Sequence, residues 1–354
     1  MIKKIILIIR DILKNIFGKE DLIYIVECLD WSIKWDGLQI TSSLNNLNLI
    51  KADVRVTTIG LKNKIIHFGS VNTYINIKKG IKKIHSSNKI ILTWFHIEKN
   101  DPKIKYVSKL NKVVDIIHTS CEETAKILLN NGLDANKILV IPLGVDVNIF
   151  KIFSDRKRLE LKNKLKIPQD KIIIGSFQKD GVGWGEGLVP KLIKGPDIFC
   201  DAILEISKKH SLHVLLTGPS RGYVKKRLRE MNITYTHVYL KNYLEIVNYY
   251  NMLDLYIISS RVEGGPKALL ECWATGVPVV STRVGMVPDI SSDRENVFMV
   301  EIDDIKGIIK SVDFIINDRD KTLKIVDNAK ECIKKFSWEE IAKKYYNNIY
   351  SKII

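Results

Sequence analysis

The strongest constraint on this chain's fold is a run of four local signals within residues 253–282. Residues 253–259 are mostly apolar and short enough for a buried strand. A Gly264-Gly265-Pro266 corner follows, then an apolar helix that stops at Gly276, then a second short apolar run over residues 277–280. Strand, turn, helix and strand in that order predict a β-α-β unit of a parallel sheet. Pro266 suits the first helical position and Gly276 the residue just past the helix end. Gly264 and Gly265 put no side chain over the free N–H groups of the helix start, so an anion could sit against the positive end of that helix.

Two carboxylates flank this corner. Glu263 lies just before it, and Glu271 lies in a helix otherwise made of Ala268, Leu269, Leu270, Cys272, Trp273 and Ala274. A carboxylate on such a helix is costly to bury without partners, and paired hydroxyls such as those of a ribose would satisfy both its oxygens. The spacing alone equally allows Lys267 and Glu271 to form an i,i+4 surface ion pair. The whole run is more specific. Glu263 and Glu271, with seven residues between them, are followed by Ala274-Thr-Gly-Val-Pro-Val-Val-Ser-Thr282 and Val284-Gly-Met-Val-Pro-Asp-Ile290. This pattern resembles the nucleotide-sugar motif of the retaining family 4 (group 1) glycosyltransferases. The resemblance implies an α/β fold of the GT-B kind: two Rossmann-like domains facing across a cleft, with a C-terminal helix crossing back to the first domain.

At 354 residues the chain is long enough for two domains with full cores. Five cysteines, Cys28, Cys121, Cys200, Cys272 and Cys332, are scattered without a C-x-x-C pair. That argues against a zinc site or a disulfide framework and for a reducing, cytoplasmic location. The net charge of +16 suits a lysine-rich solvated surface, an anionic membrane or an anionic substrate. No zinc finger, RNP signature or basic arm points to nucleic acid. No apolar run reaches the roughly 18 residues of a membrane span.

Residues 1–20 form a segment of their own. Ile2, Ile5, Ile6, Ile9, Ile12, Leu13 and Ile16 fall at helical spacing on one side, with Lys3, Lys4, Arg10 and Lys14 largely on the other. A basic amphipathic helix of this kind can lie on the inner face of an anionic membrane through residues 1–18, or can pack on the protein itself. The first strand is expected over residues 22–27, then a loop over 28–37 carrying Trp31 and Trp35 as candidates for sugar stacking, then a helix from about 38 to 49. Gly37 is the one clear glycine in that loop, where a ligand would approach the backbone. Further strands are expected over 53–59, 64–68, 90–95, 113–119 and 137–141, with a helix over 122–130. His96 follows the strand over 90–95 at its C-terminal end, where open α/β sheets place ligands. His67 is a weaker rival.

Residues 21–150, with the last helix over 337–354, make the expected acceptor domain, and 169–336 the nucleotide-sugar domain. A charged linker over 151–168 joins them. The second domain opens on a strand over 171–177 and a loop with alternating glycines at 181, 183, 185 and 187. These glycines match neither G-x-G-x-x-G nor a P-loop and suggest a mobile loop beside a phosphate site. Further strands are expected over 212–217 and 238–240, and Arg221 to Arg229 suggest a solvated basic helix face. Asp303 and Asp304 form an acidic pair in a late polar turn.

The family resemblance supplies the roles. Family members bind the diphosphate with an Arg and then a Lys before a Gly. Lys194-Gly195 matches the second, and Lys179 is the nearest substitute for the first, supplying a point charge without the bidentate fork. Pro142-Leu-Gly-Val-Asp146 resembles the interdomain crossing, and residues 336–346 the closing helix. The nucleobase is expected beside Lys241-Asn-Tyr243, read mostly by backbone. The resemblance implies His96, Glu263 and Lys194 as catalytic residues. Gly37, Lys179, Gly264, Gly265, Pro266, Glu271, Gly285 and Met286 would bind substrate, with no metal and no cofactor. The expected reaction moves a sugar, with retention, from a nucleoside-diphosphate sugar (a UDP-sugar first) to a glycan or lipid-linked acceptor of cell-envelope polysaccharide synthesis. A GT-B sugar-nucleotide epimerase and a catalytically silent membrane-surface scaffold are the alternatives.

Overall fold

A computed structural model describes residues 2–28 and 32–353. Trp31 lies outside the described residues. The chain divides into two compact units. One runs up to Gly144 and takes in the segment from Phe336 onward; the other is Val145–Lys335.

The first unit is built on six parallel strands, β1 (Leu22–Ile25), β2 (Ala52–Arg55), β3 (Ile65–Phe68), β4 (Lys89–Thr93), β5 (Ile116–Thr119) and β6 (Ile138–Val140). Their order across the sheet is β2-β1-β3-β4-β5-β6. Every residue of β1 and β3 is buried, as expected for parallel strands covered on both faces. Helices α1 (Ile2–Phe17), α2 (Ser32–Asn46) and α3 (Glu122–Asn130) belong to this unit.

Gly37 departs from expectation. The helix expected from about residue 38 starts at Ser32, so Gly37 sits inside α2 and is buried. A Cβ there would stand 2.6 Å from Cδ1 of Tyr24 on β1. Glycine in a helix interior costs about 1 kcal/mol relative to alanine. Here it admits an aromatic ring between helix and strand, so its role is packing and not ligand approach. Trp35 lies on the same helix and is half-buried.

The second unit opens with α4 (Asp155–Lys164), a helix where a linker was expected. Ser154 caps it by accepting from the Lys157 N–H, and no residue of α4 is buried. The absence of an apolar face hid it from periodicity. Six parallel strands follow: β7 (Ile172–Ser176), β8 (Leu212–Thr217), β9 (Tyr235–Val238), β10 (Leu255–Ile258), β11 (Val279–Thr282) and β12 (Phe298–Val300). Strand β9 begins three residues before the expected 238. The sheet order is β9-β8-β7-β10-β11-β12. The chain winds outward from β7 in one direction and, after β9, from β10 in the other. The ends of β7 and β10 therefore flank a topological switch point. Helices α5 (Pro196–Ser207), α6 (Gly222–Glu230), α7 (Lys267–Thr275), α8 (Ile305–Asn317) and α9 (Arg319–Ile333) complete the unit. Phe199, Ile203, Val214, Leu216, Leu255 and Phe298 are among the buried residues of its core.

The last helix, α10 (Trp338–Asn348), returns to the first unit and packs on α2. A buried polar chain secures the segment beyond it. His67 Nδ1 lies 2.7 Å from the Tyr350 hydroxyl, and His67 Nε2 lies 2.7 Å from Thr93 Oγ1. Thr93 Oγ1 lies 3.0 Å from His118 Nδ1, and His118 Nε2 lies 2.9 Å from the Ile141 carbonyl. With both imidazoles neutral, one set of proton positions satisfies the whole chain, the proton on Nε2 of each ring. Tyr350 then donates to His67, His67 to Thr93, Thr93 to His118 and His118 to Ile141. His67 is thus a structural residue and no rival to His96.

Burial holds His67 well below its ordinary value and lowers His118 to about 4. Both are neutral when folded, while the unfolded chain takes up protons below about 6.5. Stability is therefore full above pH 6.5 and falls as pH drops toward 4, by up to about 1.4 kcal/mol per pH unit for each histidine. The expected result is a urea midpoint unchanged between pH 8 and pH 7 and clearly lower at pH 5. A flat profile down to pH 5 would refute the neutral pair.

Candidate functional site

The switch point of the second sheet gathers most of the expected site. After β10, Ser259 and Ser260 are buried and turn the chain toward Glu263. After β7, a long loop ends at a short 3-10 turn, Leu192–Lys194, which leads into α5. Gly195 joins the two with φ +59, and the Ser259 carbonyl stands where a Cβ would be. Only glycine permits this close approach in the left-handed conformation. The Arg261 and Val262 N–H groups donate to the Ile193 carbonyl at 2.8 and 3.1 Å. Arg261 also forks onto Asp197, Nη1 to Oδ1 at 2.9 Å and Nη2 to Oδ2 at 2.7 Å. Partial burial would raise the Asp197 carboxyl, but the guanidinium outweighs it and holds the group below its ordinary value.

This stitching brings Lys194 to Glu263. Lys194 Nζ lies 2.6 Å from Glu263 Oε1, with side-chain exposures of 18% and 13%. The pair is largely shielded from solvent. The Ser260 hydroxyl donates to the same Glu263 oxygen at 2.9 Å. Gln178 Nε2 donates to the Lys194 carbonyl at 3.0 Å, tying the turn back to the end of β7.

Gly264, Gly265 and Pro266 form the corner before α7. Pro266 is the capping residue, and the helix proper starts at Lys267, one residue later than expected. Gly276 ends α7 in the left-handed conformation, as the sequence predicts. Gly285 packs its backbone against Gly264, and the Met286 N–H donates to the Gly264 carbonyl at 2.8 Å. Met286 is one of the expected substrate-binding residues. Its N–H holds the two loops together, and its side chain is buried.

Glu271 is 4% exposed. Its Oε2 accepts from the Tyr250 hydroxyl at 2.6 Å, and its Oε1 accepts from the Tyr243 hydroxyl. Burial, then the Glu271 charge, push the Tyr250 hydroxyl well above its ordinary value, so it remains a donor. Lys267 Nζ lies 5.7 Å from the centre of the Tyr243 ring. Neither tyrosine stands out in the sequence as a partner of Glu271, because both lie more than twenty residues before it and only the fold brings them together.

Lys179 sits at the other end of the loop after β7, its ammonium 4.6 Å from the Trp184 ring centre. The alternating-glycine segment is stitched rather than open. The Val182 N–H donates to the Val189 carbonyl at 2.9 Å, Gly222 N–H to Glu186 at 2.6 Å, and Ser220 Oγ to the Gly183 and Gly185 carbonyls at 3.1 and 3.0 Å. Beneath it lies Arg221, expected on a solvated face but 1% exposed. Its Nη1 donates to the Ser176, Gln178 and Thr217 carbonyls at 2.7, 2.8 and 3.0 Å, and its Nη2 lies 3.0 Å from Asp180. Burial raises the Asp180 carboxyl, and Arg221 offsets part of that shift.

Asp303 accepts from Arg261 at 2.6 Å, and Asp304 caps α8 through the Gly307 N–H. Among the described residues no three His, Cys, Asp or Glu side chains are grouped to hold a metal ion. His96, half-buried just beyond β4, and Gly37 belong to the first unit.

Residues 187–318 match the family model of glycosyl transferases group 1. The chain is 25% identical over 245 residues to D-inositol 3-phosphate glycosyltransferase of Corynebacterium jeikeium, covering 64% of this chain and 55% of that protein. It is 27% identical over 243 residues to the capsular polysaccharide biosynthesis glycosyltransferase CapM of Staphylococcus aureus, covering 65% of this chain and 61% of that one. The chain thus spans about half the length of the curated relatives it matches. Among solved structures, Anabaena HepE in complex with UDP and glucose aligns over 94% of this chain and 100% of its own, with a TM-score of 0.74 at 14% identity. At that identity the likeness speaks for the fold alone. Two parallel-sheet halves give the chain the GT-B fold, and residues 187–318, with the motif at the second switch point, are similar to the group 1 glycosyltransferases.

Proposed function

We propose that this protein transfers a glycosyl group, with retention and without a metal, from a nucleoside-diphosphate sugar to a glycan or lipid-linked acceptor of cell-envelope polysaccharide synthesis. The observation that carries the reading is the Lys194–Glu263 pair at the switch point, beside the Gly264-Gly265 corner. A diphosphate entering there would draw Lys194 toward its own charge. Glu263 would keep the Ser260 hydrogen bond and accept from sugar hydroxyls. The N-terminal end of α7 and Lys179 would add positive charge where the departing diphosphate gains negative charge in the transition state. A carboxylate has about four acceptor sites. The ribose hydroxyls would therefore bind Glu271 beside the Tyr250 hydroxyl, sharing or taking the place of Tyr243. His96 is proposed as a further contact of the donor sugar.

In the proposed step the bond from the anomeric carbon to the diphosphate oxygen breaks. A bond to the acceptor oxygen forms on the same face, and the acceptor's proton passes to the departing phosphate. The UDP held by the HepE neighbour and the polysaccharide role in CapM's name make UDP-sugars the first donors to try.

The test is a thermal-shift screen of nucleoside diphosphates, followed by product analysis with the donor that stabilises. Binding raises the melting temperature only where a site exists. Glu271→Ala is expected to weaken the binding about tenfold to a hundredfold, as loss of a charged hydrogen-bond partner should. Release or transfer of the sugar supports the reading. A changed sugar still joined to its nucleotide would make the protein an epimerase. Absence of any nucleotide-linked stabilisation would favour a scaffold.

A further inference from the structure

Helix α1 presents its apolar side away from the unit that carries it. Asp11, fully buried, accepts from the Val56 N–H at 2.8 Å. Asn15, 5% exposed, donates to the Thr57 and Ile59 carbonyls at 3.0 and 2.9 Å. Lys14 pairs with Asp53 at 3.1 Å. Asp53 lies on β2, the edge strand, and the three backbone groups belong to the segment leaving it. Backbone groups at a sheet edge lack ladder partners, and here the polar face of α1 supplies them.

The consequence is an outward apolar stripe. Ile6, Ile9, Leu13, Ile16 and Phe17 are 53–76% exposed, and Ile59, 59% exposed, adjoins them through the Asn15 contact. A helix docked only for stability would turn these residues inward. The rim is basic. Arg10 and Lys14 keep 54% and 47% exposure while pairing, at 2.7 and 3.1 Å, with the carboxylates of Asp11, the one acid of α1, and Asp53 beneath them. No described helix is long and apolar enough to cross a membrane.

We propose that this stripe docks the protein on an anionic lipid bilayer, with α1 lying in the interface plane. The apolar side chains would enter the acyl boundary, and Arg10 and Lys14 would meet lipid phosphates. A second copy fits less well, because a self-complementary contact would bring two basic rims together. The proposal stands independently of the transferase reading.

The test is sedimentation of the full chain with phosphatidylcholine vesicles, with and without phosphatidylglycerol, for the wild type and an Ile9→Asn/Leu13→Asn variant. The wild type is expected to sediment with the anionic vesicles and to lose binding as salt rises. The variant is expected to bind at least about tenfold more weakly. Both side chains are largely exposed, so its melting temperature should match the wild type; a melting temperature lowered along with the binding would point to lost packing and overturn the proposal. Equal sedimentation of the two proteins would also overturn it. So would a wild type that ignores anionic vesicles and instead forms concentration-dependent dimers.

Discussion

Lys194→Met is expected to lower kcat with the donor identified by the screen by about 10²–10³, the usual effect of removing one preorganised charge from a developing anion. The melting temperature should barely move, because a partly exposed ion pair contributes only about 0–1 kcal/mol to stability. Glu263→Ala should also lower kcat. The informative result is the double variant. Lys194 and Glu263 meet at 2.6 Å and are placed by one set of loop hydrogen bonds, so their losses should not add. Kinetics on the four proteins check this. Wild-type turnover in Lys194→Met would remove the pair from the mechanism, and fully additive losses would separate their roles.

Arg221→Met is expected to destabilise the second unit by about 3–5 kcal/mol, the cost of removing one partner from a buried charged contact. The substitution would leave Asp180 without its opposite charge and the Ser176, Gln178 and Thr217 carbonyls without this donor. The effect should reach function. The loop after β7 carries Lys179 at one end and Lys194 at the other, and its glycine segment rests on the turn that Arg221 begins to close. Urea unfolding measures the first effect, and the nucleoside-diphosphate dissociation constant of the folded fraction the second. A loss below about 1 kcal/mol would show that the guanidinium is dispensable. Adding Asp180→Asn to Arg221→Met should recover part of the loss, because the uncompensated carboxylate is then gone.

The contrast between Arg221 and the Leu253–Thr282 run separates what is local from what is not. Parallel strands buried on both faces read as short continuous apolar runs, and helix ends are marked by glycine and proline at fixed offsets. Both signals lie within a few residues of what they predict. Hence the strands of the first sheet, those of the second except β12, the stop at Gly276, the lysine before Gly195 and the family motif were legible from residue order. Arg221 was not, since a basic residue opening a polar helix looks the same whether its side chain meets water or three carbonyls.

The sequence alone predicted two domains of parallel β-α-β units and an acidic, glycine-rich corner, and the resemblance of that corner's motif to the group 1 glycosyltransferases supplied the expected roles. Folding settled what lies far apart along the chain. It joined Lys194 to Glu263, set Tyr243 and Tyr250 on Glu271, turned Gly37 toward Tyr24 and occupied the Met286 N–H. It also pointed the apolar side of α1 outward. The physical reason is the same in each case. Periodicity tells which side chains share a face, and only the packed neighbours decide which way that face turns and which polar groups are left to meet it.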